Sequence, residues 1–233
     1  MSRTPDATHD GPLDWAPPDS LDTSVRLTTE RLELRLYRLD ESDRLLESLD
    51  SSRVETEPWE SWTRALRTLD EAYAYVVRQR LNVRDLGTSR GVELGAFDLA
   101  SGHHVGGVGL HSINTDTASG EVGYWLRTDR TGQGLATEAV GRVVSWMLGA
   151  QEGGGLGLAR VVARCSGENE ASSRVCQRLG LPLELRQPRA YYVKGLDKIT
   201  ELLGYGVLAN EWDHDQHRAK PGTPTTRLTP APA

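Results

Sequence analysis

Residues 120–139 read GEVGYWLRTDRTGQGLATEA, and this stretch decides the fold. It begins with an apolar strand pattern over 120–127 and continues into a loop with two glycines. After the loop, the apolar residues have helical spacing, which predicts a helix over 135–149. A glycine-rich segment, Gly153–Gly157, ends that helix, and the apolar run LARVVARC at 158–165 predicts the next strand. Because a strand–helix–strand crossover joins parallel strands, the sequence predicts one parallel pair here.

The flanking sequence predicts the rest of a mixed sheet. Turn residues such as Ser101-Gly102 separate neighbouring strand patterns, so these strands are expected to form antiparallel hairpins. The expected fold class is α+β, with a mixed and mostly antiparallel sheet. The additional strands are predicted at 31–39, 92–99, 104–113, 183–194 and 199–208, and the additional helices at 41–50, 69–83 and 169–179.

Composition and charge limit the function. A formal net charge of −6 in 233 residues argues against a nucleic-acid-binding domain, which is normally basic. Neither cysteine has the spacing of a metal ligand or of a disulfide framework, and no apolar run is long enough for a signal peptide or a membrane span. We therefore expect a cytoplasmic protein that binds no metal, no membrane and no nucleic acid directly.

Both ends of the chain are rich in proline and poor in large apolar residues. Such segments cannot bury enough surface to offset the conformational entropy that they lose on folding. We therefore expect disordered tails at 1–23 and 213–233, and one domain at 24–212.

The glycine loop has the chemistry of an anion site. A helix that begins directly after Gly132-x-Gly134 presents unpaired backbone N–H groups and the positive end of its dipole. Glycine also lets a phosphate approach the backbone without a Cβ in the way. The loop lacks the GxGxxG of a Rossmann fold, since Thr137 stands at the last position, and the chain has no Gly-Lys-Ser/Thr of a P-loop. A pyrophosphate site that matches neither motif favours coenzyme A (CoA) as the ligand.

The same stretch resembles motif A of the GNAT superfamily, the GCN5-related N-acetyltransferases. Gly-Tyr-Trp-Leu at 123–126, the glycine loop and Ala-Thr-Glu-Ala at 136–139 are similar to the branch that acetylates the N-terminal alanine of ribosomal proteins. Asn169-x-x-Ser172 resembles the next helix of that branch, and the resemblance covers about residues 24–212. It implies the GNAT fold, in which the parallel pair is splayed at the centre of a twisted sheet with helices on both faces. It also implies an acetyl-CoA-dependent N-acetyltransferase whose acceptor is a protein N-terminal α-amine.

The resemblance further implies which residues hold acetyl-CoA. One position departs from the family pattern: Thr131 replaces the Gln or Arg that opens the loop, so the positive charge must come from Arg127 or Arg130. The expected cofactor-binding residues are Leu126, Arg127, Arg130, Thr131, Gly132, Gln133, Gly134, Leu135, Ala136, Asn169 and Ser172.

For the chemistry, the resemblance implies direct attack of the amine on the thioester in the splayed gap, with a backbone N–H near Leu126 stabilising the oxyanion. Glu121 is the expected base, because it shares a strand face with Gly123 and Trp125 near the acyl group. A chain of water molecules is the alternative base.

The departing thiolate needs a proton donor, and Ser172 and Tyr191 are the candidates. Tyr191 and Tyr192 are adjacent on a predicted strand and face opposite ways, so either could lie at the site. Trp59 and Trp62 lie where the resemblance places acceptor contacts.

Two alternatives remain open at this point. The acceptor could be a small-molecule amine, such as an antibiotic or a polyamine, and an acidic cleft formed by Glu55, Glu57 and Glu60 would favour a polycation. The chain could instead be a non-catalytic CoA-binding module. The oligomeric state is expected to be a monomer or a homodimer.

Overall fold

The computed structural model describes residues 15–16, 23–83 and 91–217, which form one eight-stranded sheet with helices on both faces. The strands are β1 (Arg26–Thr28), β2 (Leu32–Arg35), β3 (Gly91–Asp98), β4 (His104–Asn114), β5 (Ser119–Leu126), β6 (Arg160–Ser166), β7 (Leu183–Val193) and β8 (Lys198–Leu208). The helices are α1 (Ser42–Asp50), α2 (Arg53–Thr56), α3 (Leu69–Asn82), α4 (Leu135–Leu148) and α5 (Glu170–Arg178).

The sheet topology follows from the crossover through α4. The strand order is β1-β2-β3-β4-β5-β6-β8-β7. In the described part of the chain, every neighbouring pair is antiparallel except β5–β6. The predicted α+β class, with a mixed and mostly antiparallel sheet around one parallel pair, is therefore confirmed.

The two faces of the sheet pack into separate cores. Val122 of β5 lies in the larger core together with the buried side chains of α4 and α5. Trp125 lies in the smaller core together with α1 and α3. Because successive side chains of a strand point to opposite faces, one strand reaches both cores and can present groups to ligands on either side of the sheet.

Local sequence sets the ends of the helices that frame the site. Thr68 caps α3 in a capping box with Glu71, and the Asn169 side chain accepts a hydrogen bond from the Ser172 N–H (3.1 Å) at the start of α5. Gly180 follows α5 at a φ of +72°, which favours glycine. Among the described residues, no helix has the length and apolarity that a membrane crossing requires.

The predicted strand 31–39 requires a correction, because β2 covers only Leu32–Arg35 of it and a separate strand, β1, precedes it at Arg26–Thr28. Thr29 Oγ1 accepts a hydrogen bond from the Leu32 N–H (2.8 Å) and closes the turn between them. β2 ends early because the chain turns into a 3-10 helix at Leu39–Glu41, where the buried Glu41 carboxylate binds the Arg35 guanidinium at 2.7 Å.

Two described residues of the predicted N-terminal tail contact the domain. Trp15 packs on the larger core, and its Nε1–H donates to the Leu156 carbonyl (3.0 Å). The Gln151 side chain donates to the Ala16 carbonyl (3.0 Å). In the predicted C-terminal tail, Asp215–His217 form a 3-10 helix. Residues 1–14, 17–22 and 218–233 of the predicted tails lie outside the described residues.

Candidate functional site

The parallel strands β5 and β6 separate at the centre of the sheet. Their pairing ends at Glu121 and Val162, although β5 continues to Leu126 and β6 to Ser166. A cavity of about 520 Å³ is lined by the end of β5, the glycine loop, α5 and residues near α2. The predicted site residues in its lining are Trp59, Leu126, Thr131, Gly132, Gly134, Leu135, Ala136, Asn169 and Ser172.

The edge of β5 in this gap carries backbone groups for a ligand. The Arg127 N–H donates to the Val105 carbonyl of the neighbouring chain segment at 2.9 Å. Hydrogen bonding along an antiparallel pair alternates from residue to residue, so the N–H groups of Tyr124 and Leu126 point away from β4 and toward the gap. An extended ligand such as pantetheine can pair with them there.

The glycine loop has the backbone geometry that the predicted anion site requires. Gly132 and Gly134 have φ values of +73° and +79°, which favour glycine, and a Cβ at Gly134 would meet only the Arg31 guanidinium, at 3.6 Å. The first hydrogen bond of α4 runs from the Glu138 N–H to the Gly134 carbonyl (3.1 Å). The N–H groups before it are thus available to a phosphate at the positive end of the helix.

The cations near the loop are held by other groups. The Arg127 guanidinium binds Asp129 and Glu47, and Arg130 lies 3.8 Å from Asp98. Arg31, which the sequence reasoning missed, donates to the Gln133 carbonyl (2.9 Å) and thereby supports the loop. Two further arginines, Arg174 and Arg178, line the cavity one turn apart on α5.

Tyr124 and Ser172 form a hydrogen-bonded pair in the cavity wall. The two hydroxyl oxygens are 2.9 Å apart, and the phenol also lies 3.0 Å from the Ser172 carbonyl. Burial raises the pKa of Tyr124 well above its usual value, so the phenol is neutral at physiological pH and can donate a hydrogen bond. Sequence reasoning selected Ser172 and missed Tyr124, although Tyr124 belongs to the Gly-Tyr-Trp-Leu stretch.

The opposite wall of the cavity carries two glutamates, Glu55 and Glu60. The Trp62 Nε1–H donates to Glu60 Oε2 at 2.8 Å. The Trp62 ring stacks on Tyr75 (ring centroids 5.1 Å apart) and meets Trp125 edge-on. Trp62 therefore packs in the smaller core and orients Glu60, whereas Trp59 lines the cavity itself.

A group of titratable side chains lies behind this wall. The Glu93 carboxylate is buried and stands 3.5 Å from His111, with room provided by glycines in β4: a Cβ at Gly109 would collide with Glu93 Oε2. Burial alone would lower the pKa of His111, but Glu93, together with Glu60 and Glu121, leaves it raised. Three carboxylates, those of Glu60, Glu93 and Glu121, thus act on His111 together.

The remaining predicted residues lie near the cavity and are absent from its lining. Glu121 forms an ion pair with Arg164 (3.0 Å), and burial raises the pKa of its carboxyl against the opposing effect of that arginine. Tyr191 is half-buried, and burial together with Glu60 and Glu121 raises its pKa. Tyr192 is exposed and donates to Asp197. Of the two tyrosines, Tyr191 is therefore the one near Glu60 and Glu121.

Two other expectations concern charge and metal. Glu57 forms ion pairs with Arg53 and Arg67 and does not line the cavity. Over 15–16, 23–83 and 91–217, no three His, Cys, Asp or Glu side chains are grouped so that they could hold a metal ion.

Comparison with known proteins identifies the family. A family model described as an acetyltransferase (GNAT) domain matches residues 31–182. The chain belongs to the GNAT acetyltransferase family. A curated relative of this GNAT protein is YdaF of Bacillus subtilis, whose name assigns it provisionally to the ribosomal N-acetyltransferases. It is 24% identical over 188 residues, which cover 80% of this chain and 96% of YdaF.

Solved structures show the same fold. RimJ of Mycobacterium smegmatis, in complex with a CoA disulfide, is 22% identical with a TM-score of 0.69 and covers 84% of this chain and 91% of its own. The ribosomal-protein-S5-alanine acetyltransferase of Vibrio fischeri is 21% identical with a TM-score of 0.69. The match covers 82% of this chain and 100% of the Vibrio fischeri chain. The predicted superfamily, GNAT fold and enzyme class are confirmed, as is acetyl-CoA, the acetyl donor of the family.

Proposed function

We propose that this GNAT protein transfers the acetyl group of acetyl-CoA to the α-amine of a protein N-terminus in the cytoplasm. One observation carries the proposal: a single cavity joins the phosphate-type loop at Gly132 and Gly134 to a wall that carries Glu55 and Glu60. The loop suits an anionic cofactor, and the carboxylates suit an acceptor that arrives as an ammonium ion. The provisional name of YdaF supports a ribosomal protein as the acceptor.

Acetyl-CoA binds through the backbone in this proposal. The N–H groups of the loop and the start of α4 receive the pyrophosphate, with Thr131 at the loop entrance, and Asn169 shapes the α5 side of the cavity. Pantetheine extends along the open edge of β5. Arg178 and Arg174 take the place that the sequence assigned to Arg127 and Arg130 as a source of positive charge, because they line the cavity, although Arg174 also pairs with Glu170 (2.9 Å).

The acetyl transfer proceeds by direct attack. The neutral amine attacks the thioester carbonyl, and the Leu126 N–H, which points into the gap, stabilises the oxyanion of the tetrahedral intermediate. Its collapse breaks the C–S bond. The Tyr124–Ser172 pair then donates a hydrogen bond or proton to the leaving thiolate. A carboxylate on the acceptor side receives the proton of the incoming ammonium ion, and Glu121 is the one that the sequence singles out.

A small polycationic amine is a second candidate acceptor. It is favoured by the presence of Glu55 and Glu60 in one cavity wall, because paired carboxylates bind a multiply charged amine more tightly than a singly charged one. Lysine-type amines have a pKa of about 10.4 and α-amines one of about 7.7–8.0. A polyamine therefore requires a stronger base to remove its proton.

The test is acetyl-CoA turnover against an acceptor panel. The full chain is assayed by release of the CoA thiol with decapeptides that begin with Ala, Ser or Met, the same peptides with blocked N-termini, and spermidine. Turnover of free but not blocked peptides supports the proposal. Turnover with spermidine alone would transfer the function to the second candidate, and turnover with none of them would refute both.

A further inference from the structure

Glu60 stands out among the carboxylates of the acceptor side by its position. It lines the same cavity as Leu126 and Tyr124. Glu55 also lines this cavity, but it is exposed and accepts the Thr128 hydroxyl (3.0 Å). Glu121 is bound to Arg164, and Glu93 lies buried behind the wall. Glu60 and the end of β5, where the thioester carbonyl is proposed to lie, therefore border one cavity.

The geometry leaves one oxygen of Glu60 for the substrate. Oε2 accepts the Trp62 indole N–H, and the stack on Tyr75 fixes that indole. Among the residues that the structure describes, no hydrogen-bond donor contacts Glu60 Oε1. A carboxylate that is held through one oxygen and open through the other is arranged to accept a proton from a ligand in the cavity.

The surroundings make Glu60 a suitable proton acceptor at neutral pH. Burial raises the pKa of its carboxyl to about 7; Trp62 and His111 oppose this increase, and Glu93 adds to it. Burial and the charge of Glu60 in turn raise the pKa of two tyrosines, Tyr75 and Tyr191. A protein α-amine has a pKa of about 7.7–8.0, so proton transfer to such a carboxylate is close to balanced.

We propose that Glu60, oriented by Trp62, is the catalytic base that removes the proton from the acceptor ammonium ion. The assignment rests on the proposed acetyl transfer and replaces Glu121 in this role. Glu60 takes the first proton from R–NH3⁺ and becomes a neutral acid. The amine nitrogen then forms the N–C bond, the C–S bond breaks, and the second amine proton passes to the thiolate by way of the Tyr124–Ser172 pair. Glu60 returns its proton to solvent, so that one proton is released per turnover.

The first test compares the rate–pH profiles of two glutamate variants. For the wild type, kcat/KM should rise with pH through about 7, as Glu60 ionises, and fall above about 8, as the free α-amine loses the proton that Glu60 accepts. Glu60→Gln should lower kcat/KM about 100-fold or more at pH 7.5 and leave the Kd of acetyl-CoA within twofold. It should remove the rise near pH 7, so that only a rise at the pKa of the amine itself, about 7.7–8.0, remains. Glu121→Gln should keep the rise, and the surface variant Glu152→Gln is the matched control. If Glu60→Gln keeps the rise, or Glu121→Gln removes it, the assignment is wrong.

Two neighbouring variants test the role without removing Glu60. The Trp62 N–H favours the ionised carboxylate, so Trp62→Phe should move the rise to higher pH, and His111→Gln should do the same because it removes a positive charge. A residue that only supports the fold would not shift the profile in this direction. Loss of the rise in His111→Gln, with its retention in Glu60→Gln, would assign the base to His111 instead.

A titration that needs no acceptor separates this inference from the proposed function. The protein is labelled with carboxyl-¹³C glutamate, and the Glu60 resonance is identified by its absence in Glu60→Gln. It should titrate near pH 7 even if no amine of the panel is acetylated. A midpoint below about pH 5.5 would overturn the assignment of Glu60 whatever the acceptor is. If only spermidine is a substrate, the rate profiles are measured with spermidine.

Discussion

Replacing Gly134 by valine tests two effects separately: the backbone strain of a positive φ and the loss of phosphate binding. The residue has a φ of +79°, and an added Cβ would meet only Arg31, at 3.6 Å. The free protein has room for the side chain, so the destabilisation comes from backbone strain, about 1–3 kcal/mol. The added methyl groups would nevertheless stand where the phosphate approaches the N–H groups.

The expected effect on binding is larger than the effect on stability. A hydrogen bond to a charged group contributes about 1.5–3 kcal/mol, which corresponds to roughly a 10- to 150-fold loss of affinity for each bond that the side chain blocks. Calorimetric titration of the folded variant with acetyl-CoA measures this loss, and a thermal melt measures the strain.

Gly180→Val is the matched control. Gly180 has a φ of +72°, has nothing within 4 Å of an added Cβ, and does not line the cavity. Both variants should lose similar stability, and only Gly134→Val should lose affinity for acetyl-CoA. An unchanged Kd for Gly134→Val, or an equal loss of affinity in both variants, would refute the phosphate role of the loop.

Three further predictions follow from the contacts around the site. Tyr124→Phe should lower kcat about tenfold while the Kd of acetyl-CoA stays within twofold, because the hydroxyl is expected to act only on the leaving thiolate; an unchanged kcat would remove Tyr124 from the mechanism. Trp15→Ala should destabilise the fold by about 1–2 kcal/mol and lower Tm by roughly 2–8 °C, as should deletion of residues 1–22, and an unchanged melting curve would contradict this. For Glu60 the folded pKa of about 7 lies above the ordinary 4.5, so its stabilising contribution is complete below pH 4.5 and is lost as pH rises through 7, by at most about 3 kcal/mol. Glu60→Gln should therefore gain stability relative to the wild type between pH 4.5 and 8 in denaturant titrations; a parallel pH dependence would show that the carboxyl is not perturbed.

The donor side of the site could be predicted from the sequence because its parts are local. The loop, its two glycines and the start of α4 are consecutive residues, and their function depends on backbone conformation, which glycine spacing and helical periodicity indicate directly. The pattern of Asn169 and Ser172 likewise spans one helical turn. Even here, the cavity-facing arginines 174 and 178 were not predicted, since a guanidinium can point in many directions.

The acceptor side could not be predicted in the same way because its residues are distant in sequence. Glu60 follows α2, Glu93 belongs to β3 and His111 to β4. Nothing in the sequence indicates that these three side chains share one environment. The sequence favours Glu121 as the base, and only the tertiary structure shows that Glu121 is paired with Arg164.

By itself, the sequence determined the parallel crossover and the glycine loop at the start of α4, because each depends on periodicity or turn chemistry within a short stretch. The tertiary structure decided which carboxylate faces the cavity, and that Trp15 packs on the domain at the Leu156 carbonyl. The physical reason is that burial and charge pairing, which set the basicity of Glu60 and Glu121, arise only when distant segments pack together.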